Sequence, residues 1–412
     1  MLGQGYVGLP LSIAMASSGH TVHAVDTNPR RYQSLVDCRS YIVDVSDVAL
    51  HREAGARRFL PAPSLAEVPP VEAYVIATPT PLTDDRTPDL RYVDAALAQI
   101  ARHARPGVLI VVESTVFPGA MRDHVAPTFE RLSGLVSGVD VSLAYSPERV
   151  DPGRGLRLSE IPKLVAGLDE AADAAAAKLY ETVFEQVVRV PSCEVAEFAK
   201  LYENTFRYLN IAFANELSRA SRAINISFRD VVSAASSKPF GFMAFHHGPG
   251  VGGHCLPSNV HYLNHVLAAA GQPSELLAAA TTINDSMPQY LVDRLAELLE
   301  RRGKQLQGST ILLLGLAFKA GVSDSRNSPT YRIAELLVAS GAKVKVADPW
   351  FDSDADTDLF TMVELNREEC AATDAVLLVT DHDQIDYDLV LDAADLVLDS
   401  RGKLRRAEVE QL

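Results

Sequence analysis

Cys255 ends a glycine-rich segment, His247-Gly-Pro-Gly-Val-Gly-Gly-His-Cys255, and is followed by the helix-forming residues Val260 to Ala270. The intervening Pro257-Ser258-Asn259 is typical of a helix start. A helix N-terminus lowers the pKa of a thiol, and the thiolate is the form that attacks a carbonyl. The four glycines permit positive φ and close approach of a ligand. A lone cysteine is more often a small buried hydrophobe, so the nucleophile interpretation depends on its surroundings.

Polar residues elsewhere could assist such a nucleophile. Lys200 and Asn204 are four residues apart in a helical pattern and therefore project from one face. Lys200 lies between Phe198 and Tyr202 in a stripe that we expect to be buried, where an ammonium group could stabilise an oxyanion. Thr115 and Glu148 follow predicted strands, although polar residues are common at strand ends. A solvated helix edge is the alternative for the Lys200 and Asn204 pair.

The segment Gly3-Gln-Gly5-Tyr-Val-Gly8 is a complete GxGxxG, followed by the helix-like residues Leu9 to Ser18. Asp26 ends the next predicted strand, 18 residues after Gly8. This order of glycines, helix, strand and acid is typical of a dinucleotide site in which the acid binds a ribose. A carboxylate there would repel a 2′-phosphate, so the pattern favours NAD over NADP.

Two further groups of residues invite a binding interpretation. Gly315-Leu-Ala-Phe-Lys319, followed by Asp324, Arg326, Ser328 and Pro329, places two cations after a strand, where they could pair with a pyrophosphate or form a basic surface loop. Histidines 246, 247, 254, 261 and 265 surround Cys255, but their spacing matches no ordinary structural zinc pattern and includes no acidic ligand. We therefore predict no metal site.

The elements that must position these residues follow an αβ pattern. The predicted helices are Asp169 to Val187, a helix of about 30 residues from Glu194 to roughly Ile224, Ser274 to Arg302 and Thr330 to Ser340. The predicted strands are Thr21 to Val25, Ala73 to Ala77, Val108 to Val112, Val141 to Ala144, Thr310 to Gly315, Lys343 to Ala347, Ala375 to Thr380 and Leu396 to Leu398. The long helix exceeds what a small domain buries, which indicates a connector between domains and a possible subunit contact.

Composition limits the classes of function. The 412 residues suggest two or three domains, and the formal net charge of −15 argues against a general nucleic-acid or membrane-surface role. The four cysteines are widely spread, which favours a reduced cytoplasmic protein over a secreted one. No apolar run approaches the length of a membrane span.

Six ordered motifs resemble the UDP-glucose/GDP-mannose dehydrogenase family, and the resemblance covers essentially the whole chain. They are Gly5-Tyr-Val-Gly8-Leu-Pro, Val112-Glu-Ser-Thr115-Val-Phe-Pro-Gly, Ser146-Pro-Glu148-Arg-Val-Asp-Pro-Gly, Lys200-Leu-Tyr-Glu-Asn204-Thr-Phe-Arg207, Gly250-Val-Gly-Gly-His-Cys255 and Leu314-Gly-Leu-Ala-Phe-Lys319. The resemblance implies an α/β protein with two Rossmann-like domains joined by a helical region with one long central helix, and a homodimer or higher homo-oligomer. The expected domains are residues 1–190, 191–300 and 301–412.

The resemblance also implies a four-electron oxidation of the C6 alcohol of a UDP-sugar to a carboxylate, with NAD as cofactor. Cys255 would form a thiohemiacetal and then a thioester. Lys200 and Asn204 would stabilise oxyanions, while Thr115 and Glu148 would position the hydrolytic water. The expected cofactor contacts are Gly3, Gly5, Tyr6, Val7, Gly8, Asp26, Arg31, Thr78 and Thr115. The expected substrate contacts are Glu148, Arg149, Lys200, Asn204, Arg207, Gly252, Lys319 and Arg326.

The motif variants resemble the branch that oxidises UDP-N-acetylhexosamines, notably UDP-N-acetylmannosamine. Three alternatives stay open. The protein could oxidise UDP-glucose, it could perform only a two-electron oxidation, or it could be a nucleotide-sugar-binding protein with impaired turnover. Two departures bear on them. Asn259 stands where many relatives carry aspartate, which removes a possible base. The chain begins at Met1-Leu2-Gly3, so nearly all of the expected first strand is absent. We expect that loss to leave neighbouring strands unpaired, and the natural start to lie several residues upstream.

Overall fold

Parallel sheets form the core of both parts of a computed structural model of the chain, which describes residues 1–150, 157–351, 357–406 and 409–412. The chain separates into a first unit, Met1–Glu203 with His261–Pro273, and a second unit, Asn204–Val260 with Ser274–Leu412. The α/β prediction with a Rossmann-like sheet toward each end of the chain is confirmed.

The strands of the first unit are short and mostly buried. They are β1 (Val22–Val25), β2 (Phe59–Ala62), β3 (Ala73–Ile76), β4 (Leu109–Val112), β5 (Ser142–Tyr145), β6 (Lys163–Gly167) and β7 (Val187–Arg189). One sheet has the order β3-β4-β5-β6-β7, with β6 antiparallel to β5, and β1 pairs in parallel with β2. All four residues of β4 are buried, as expected for a strand covered on both faces.

Met1, Leu2 and Gly3 lie between β1 and β3. Leu2 bridges Val25 and Ile76 in parallel, and its N–H donates to the Val75 carbonyl at 2.8 Å while the Gly3 N–H donates to the Val25 carbonyl at 2.8 Å. These residues therefore take the central place in the strand order typical of a dinucleotide fold. The expectation that the neighbouring strands are left unpaired is therefore wrong at Val25 and Ile76, where this short segment bridges both strands.

The helices of the first unit cover its sheet. They are α1 (Gly8–Ser17), α2 (Pro29–Val36), α3 (Asp47–Gly55), α4 (Arg91–Ala101), α5 (Ala126–Ser133) and α6 (Glu170–Tyr180). A π-helical turn, Met121–Val125, precedes α5. Buried side chains from α1, α3, α6 and the strands form one hydrophobic cluster, which includes Leu9, Leu50 and Tyr180. Each fully buried large apolar side chain contributes roughly 1.5–3 kcal/mol.

The second unit contains a six-stranded, fully parallel sheet in the order β10-β9-β8-β11-β12-β13. Its strands are β8 (Thr310–Leu314), β9 (Lys343–Ala347), β10 (Thr361–Met362), β11 (Ala375–Leu378), β12 (Val397–Asp399) and β13 (Glu410–Gln411). Its own helices are α8 (Phe228–Ser236), α10 (Glu275–Glu300), α11 (Pro329–Ala339), α12 (Arg367–Ala371) and α13 (Tyr387–Ala393), with α7 and α9 belonging in part to each unit.

The long helix α7 runs from Cys193 to Ala223, close to its predicted bounds. Its predicted apolar stripe is largely exposed: Tyr202 is 61% and Phe213 59% accessible. The opposite, polar face is buried and includes Glu197, Lys200 and Asn204. The expectation that the apolar stripe around Lys200 is buried is therefore wrong, because periodicity identifies a face but does not tell which face the protein covers.

Candidate functional site

The glycines of the first loop differ in their surroundings. A Cβ at Gly3 would lie 2.6 Å from the Ala77 carbonyl oxygen, and one at Gly8 would collide with the Gly3 carbonyl. Gly3 also has a φ of +89°. A Cβ at Gly5 would meet only the Arg31 guanidinium, at 4.0 Å. Gly3 and Gly8 are thus required by packing, whereas Gly5 leaves open space in which a phosphate could approach the backbone at the start of α1.

Asp26 follows β1 and is buried beside this loop. Its Oδ2 accepts from the Gln4 N–H at 2.9 Å and its Oδ1 accepts from the Asn28 N–H at 2.9 Å. The Arg31 guanidinium lies 3.7 Å from Oδ2. The Tyr41 hydroxyl donates to the Gln4 carbonyl at 2.8 Å, a contact that the sequence patterns did not indicate. The carboxylate therefore fixes the glycine loop as well as lying where a ribose would bind.

Thr78 and Thr115 follow the neighbouring strands β3 and β4, and both are half-buried. Ser114 connects these strand ends, since its hydroxyl donates to the Thr78 carbonyl at 2.7 Å. Glu148 follows β5 and is also half-buried, and its carboxylate accepts from the Val150 N–H. The predicted motif continues through Asp151-Pro-Gly153, which lies outside the described residues. The structure thus brings Thr78, Thr115 and Glu148 to one edge of the sheet.

A buried ion pair links the ends of β4 and β5. Lys163, on β6, lies 2.5 Å from the Glu113 carboxylate and donates to the Pro147 carbonyl at 3.3 Å. Tyr180 also donates to Glu113. Burial raises the pKa of Glu113 despite the lysine. Because Glu113 precedes Thr115 by two residues and Pro147 precedes Glu148, this ion pair holds both loops. Lys163 carried no recognisable sequence signal, since it lies in an ordinary apolar strand.

Two buried ionisable residues lie one turn apart on α7. The Glu197 carboxylate accepts from the N–H groups of Gly119 and Met121 at 2.6 and 2.8 Å, and burial raises its pKa to about 7. Lys200 is 7% exposed and has no hydrogen-bond or ion-pair partner among the described residues. Its Nζ is not among the fully buried unpaired atoms, so the ammonium group keeps access to solvent and is available to an anionic ligand or intermediate.

In the second unit, Cys255 is the first residue of α9 (Cys255–Ala269) and its side chain is exposed. The Ser258 N–H donates to the His254 carbonyl at 3.3 Å, which closes the first helical turn. Burial, and then the charge of Arg326, lower the pKa of His254. The predicted helix start is therefore slightly late, and the thiol lies directly at a helix N-terminus, where a thiolate is favoured.

Asn204 and Asn259 form a hydrogen bond within the second unit. Both are buried, and the Asn204 Nδ2 donates to the Asn259 Oδ1 at 2.7 Å. Asn259 lies one helical turn after Cys255 and therefore shares a face of α9 with it. The amide that replaces the expected carboxylate thus fixes the orientation of Asn204.

The glycine-rich loop that leads to Cys255 packs against the loop after β8. A Cβ at Gly252 would lie 2.8 Å from the Phe318 Cβ, while Gly253 has a φ of +79°. The Gly253 N–H donates to the Arg326 carbonyl at 3.0 Å, and the Asn327 amide donates to the Gly253 carbonyl at 3.1 Å. The structure therefore brings the Cys255 loop together with the loop that carries Lys319 and Arg326.

Arg326 is exposed and bidentate with Asp324, with nitrogen-to-oxygen distances of 2.9 and 2.6 Å. This carboxylate offsets part of the positive charge expected to meet a pyrophosphate. Asp348, after β9, accepts from the N–H groups of Leu316 and Ala317 and from His382 at 3.0 Å. Asp348 thus resembles Asp26 in position, but its oxygens hold the loop of its own unit.

The remaining predicted residues are placed as follows. Arg149 pairs with Glu203 at 2.6 Å and donates to the Pro162 carbonyl, so its side chain is engaged within the first unit. Tyr6 and Val7 precede α1, and Arg207 is half-buried on α7. The predicted site residues divide between the two units. The first unit contains Gly3, Gly5, Tyr6, Val7, Gly8, Asp26, Arg31, Thr78, Thr115, Glu148, Arg149 and Lys200. The second unit contains Asn204, Arg207, Gly252, Cys255, Lys319 and Arg326.

Comparison with known families decides the assignment. Residues 1–186 match the NAD binding domain of the UDP-glucose/GDP-mannose dehydrogenase family, residues 194–286 its central domain and residues 312–406 its UDP binding domain. The chain belongs to this family. The predicted resemblance is confirmed, and so is the prediction of NAD as cofactor, since the family's NAD-binding domain is present.

Several members of the family are similar along nearly their whole length. A UDP-N-acetyl-D-glucosamine 6-dehydrogenase from Salmonella typhi is 32% identical over 93% of this chain and 89% of its own. The structure of a UDP-D-ManNAc dehydrogenase from Pyrococcus horikoshii aligns with a TM-score of 0.91 at 29% identity, over 100% and 97% of the chains. The structure of a UDP-glucose dehydrogenase from Pyrobaculum islandicum aligns with a TM-score of 0.87 at 30% identity, over 100% of this chain and 96% of the other.

Within the described part of the chain, none of the helices combines the length and the apolar character that a membrane span requires.

Proposed function

We propose that this protein oxidises the C6 hydroxyl of a UDP-sugar to a carboxylate, with NAD, through a thioester on Cys255. The observation that carries the proposal is the exposed Cys255 at the N-terminus of α9, with the buried Asn204 and Asn259 pair one turn further on. Family membership and the UDP binding domain support the substrate class. Family members named as 6-dehydrogenases support the reaction.

The proposed chemistry proceeds in balanced steps. The alcohol loses a hydride and a proton to become an aldehyde, and the Cys255 thiolate adds to it to form a thiohemiacetal. Loss of a second hydride and a proton gives the thioester, and water then breaks the C–S bond to release the acid and the thiolate. Two NAD molecules supply the oxidising power in turn. One sugar thus yields two NADH.

We assign the supporting roles from charge and hydrogen-bonding capacity. Lys200 would stabilise oxyanions with an ammonium group that has no partner among the described residues. Asn204 has one amide N–H left after it donates to Asn259, and this group would donate to the same oxygen. Glu148 and Thr115 would position the hydrolytic water, with Glu148 as base. Because Asn259 cannot accept a proton as a carboxylate does, Glu148 would carry that task alone.

The cofactor role rests on the first unit. Open space at Gly5 would admit the pyrophosphate, and Asp26 would bind the adenosine ribose and disfavour NADP. We also propose the domain limits 1–190, 191–300 and 301–412 and a cytoplasmic location. The wide spacing of the four cysteines along the sequence supports that location.

We propose a UDP-N-acetylhexosamine, and UDP-N-acetylmannosamine first, as the substrate. The motif Gly-Pro-Gly-Val-Gly-Gly-His-Cys255 and relatives named for N-acetylated sugars support this choice. Sequence identity alone does not separate it from UDP-glucose, because relatives named for the two sugars are about equally similar.

The test is turnover with NAD and a panel of UDP-N-acetylmannosamine, UDP-N-acetylglucosamine, UDP-glucose and GDP-mannose, with NADH counted per acid formed. We expect two NADH per acid and the highest kcat/KM for an N-acetylated sugar. One NADH with release of an aldehyde would contradict the thioester route. Binding of both ligands without NADH would support a binding protein, and a preference for UDP-glucose would overturn only the sugar assignment.

We further propose a homodimer or higher homo-oligomer in which a second copy covers the apolar stripe of α7. Val195, Phe198, Tyr202, Phe206, Phe213 and Leu217 are each at least 37% exposed. A large exposed apolar surface of this kind is typical of a subunit interface. Sedimentation of the wild type and of Phe213→Glu tests it, and an unchanged mass for the variant would contradict the assignment.

A further inference from the structure

A second concave site lies within the second unit. It is a pocket of about 540 Å³ where the end of α7, the start of α8 and the middle and end of α10 meet the last residues of the chain. Four arginines line it: Arg222, Arg229, Arg294 and Arg301. None of its lining residues belongs to the sets proposed above for NAD or the UDP-sugar.

Carboxylates balance only part of this positive charge. Glu297 lies 3.5 Å from Arg222 and 3.1 Å from Arg294, and Glu410 lies 2.8 Å from Arg294. Arg229 donates to the Gly402 carbonyl, and neither it nor Arg301 has a carboxylate partner in the described ranges. The buried Nε of Arg294 also lacks an acceptor. The pocket therefore has an excess of guanidinium donors over acceptors, which suits an anion with several oxygens.

His247 adds a second, independent indication of a ligand. Its side chain lines the pocket at 5% exposure, and neither ring nitrogen has a hydrogen-bond partner among the described residues. Burial, and then the charge of Arg401, lower its pKa to about 4, so the ring is neutral at neutral pH. A neutral imidazole offers one donor and one acceptor, and buried groups of this kind are nearly always paired.

We propose that this pocket binds a small phosphate ester that carries hydroxyl groups, as sugar phosphates and nucleotides do. Phosphoryl oxygens would accept from Arg229, Arg301 and the free Nε of Arg294. A ligand hydroxyl would donate to the unprotonated nitrogen of His247, which no simple anion can do once it is fully ionised. Phe228, whose ring meets that of His247 edge-on at 5.7 Å, supplies an apolar wall for the rest of the ligand.

Calorimetric titration of the full-length protein with glucose 1-phosphate, UMP and sulfate, which is fully ionised at neutral pH and has no hydroxyl group, tests the proposal. We expect saturable binding of an ester, at least about tenfold tighter than that of sulfate. The affinities for glucose 1-phosphate and UMP show whether the site prefers a sugar phosphate or a nucleotide. Equal affinity for all three probes would overturn the role of the ligand hydroxyl, and no binding at millimolar concentrations would overturn the site.

Matched variants locate the binding. Arg301→Gln removes an unpaired arginine of the pocket, and we expect it to weaken ester binding about tenfold. Arg302→Gln, the neighbouring exposed residue outside the pocket, should leave affinity unchanged. His247→Phe should abolish the preference for ester over sulfate. If Arg301→Gln binds like the wild type, the ligand lies elsewhere, for example at the UDP-sugar site, and the proposal fails whether or not the enzyme turns over.

Discussion

The Asn204 amide donates to the Asn259 carbonyl oxygen at 2.7 Å, and both side chains are buried. An aspartate at 259 could accept the same hydrogen bond, so the exchange preserves the contact and changes the chemistry. The asparagine orients Asn204 but cannot take a proton from water. In this chain, Asn259 therefore has a structural role in the site but no acid–base role.

Asn259→Asp should restore a base one turn after Cys255. We expect thioester breakdown to accelerate roughly 100-fold, the lower end of the range typical of a positioned general base. Rapid quenching followed by intact-protein mass spectrometry measures the acylated fraction. Asn259→Leu, which loses the bond to Asn204 without adding a base, is the control and should slow the oxidations. Unchanged acyl lifetimes in Asn259→Asp would contradict this prediction and show that Glu148 alone already supplies the base without limiting hydrolysis.

Cys255→Ala should abolish acid formation, because no other group in the proposed route forms the thioester. Its NAD affinity should stay near that of the wild type, since Cys255 lies in the second unit and the glycine loop in the first. Product analysis and NAD titration measure the two quantities. Cys38→Ser, at a half-buried cysteine outside the proposed site, should behave like the wild type. Acid production by Cys255→Ala would remove the covalent mechanism.

Asp26→Asn should weaken NAD binding about tenfold, because hydrogen bonds from a ribose to a charged acceptor are stronger than those to an amide. The ratio of NAD affinity to NADP affinity should decrease, since the negative charge that repels the 2′-phosphate is lost. The variant also sacrifices one of the contacts to the Gln4 and Asn28 N–H groups. Affinities for NAD and NADP must therefore be compared as a ratio, with exposed Asp37→Asn as control. An unchanged ratio would contradict the ribose assignment.

Much of the fold was predictable because short apolar runs bounded by turn residues define parallel strands. The prediction of Lys343 to Ala347 matches β9, and that of Ala73 to Ala77 exceeds β3 by one residue. The strand Phe59–Ala62 was not predicted, since it contains Pro61 and only four residues. Motifs with a local physical cause, such as the loop at Gly5, were also accessible from the sequence, and the helix start at Cys255 was predicted about two residues late.

What the sequence did not reveal depends on contacts between distant residues. The buried face of α7 was assigned wrongly because two of its polar residues find partners in other elements: Glu197 accepts from the Gly119 and Met121 N–H groups, and Asn204 donates to Asn259. Lys163 resembles any strand lysine until the fold places it against Glu113. Arg326 looked free for a pyrophosphate, yet Asp324 pairs with it two residues away.

Lys163→Met should destabilise the first unit by roughly 3–5 kcal/mol, the usual consequence of leaving a buried carboxylate unpaired. The double variant Glu113→Gln/Lys163→Met removes both charges and should recover most of that loss. Chemical denaturation measures the free energies of unfolding. If the double variant is as unstable as the single one, the lysine acts through its contact with the Pro147 carbonyl and not through Glu113.

The buried Glu197 predicts how stability depends on pH. Burial raises its pKa from 4.5 to about 7, so the folded state holds a proton that the unfolded state releases at lower pH. Its contribution to stability is complete below pH 4.5 and is lost as the pH rises through 7, a change of roughly 3 kcal/mol.

Glu197→Gln cannot titrate and keeps one acceptor for the Gly119 and Met121 N–H groups. We expect its unfolding free energy, measured from pH 4.5 to 7.5, to fall less steeply with pH than that of the wild type. Glu216→Gln, which removes an exposed carboxylate from the same helix, is the control and should retain the wild-type slope over this range. Parallel curves for the wild type and Glu197→Gln would show that the Glu197 carboxylate is ionised throughout, held by its two N–H donors.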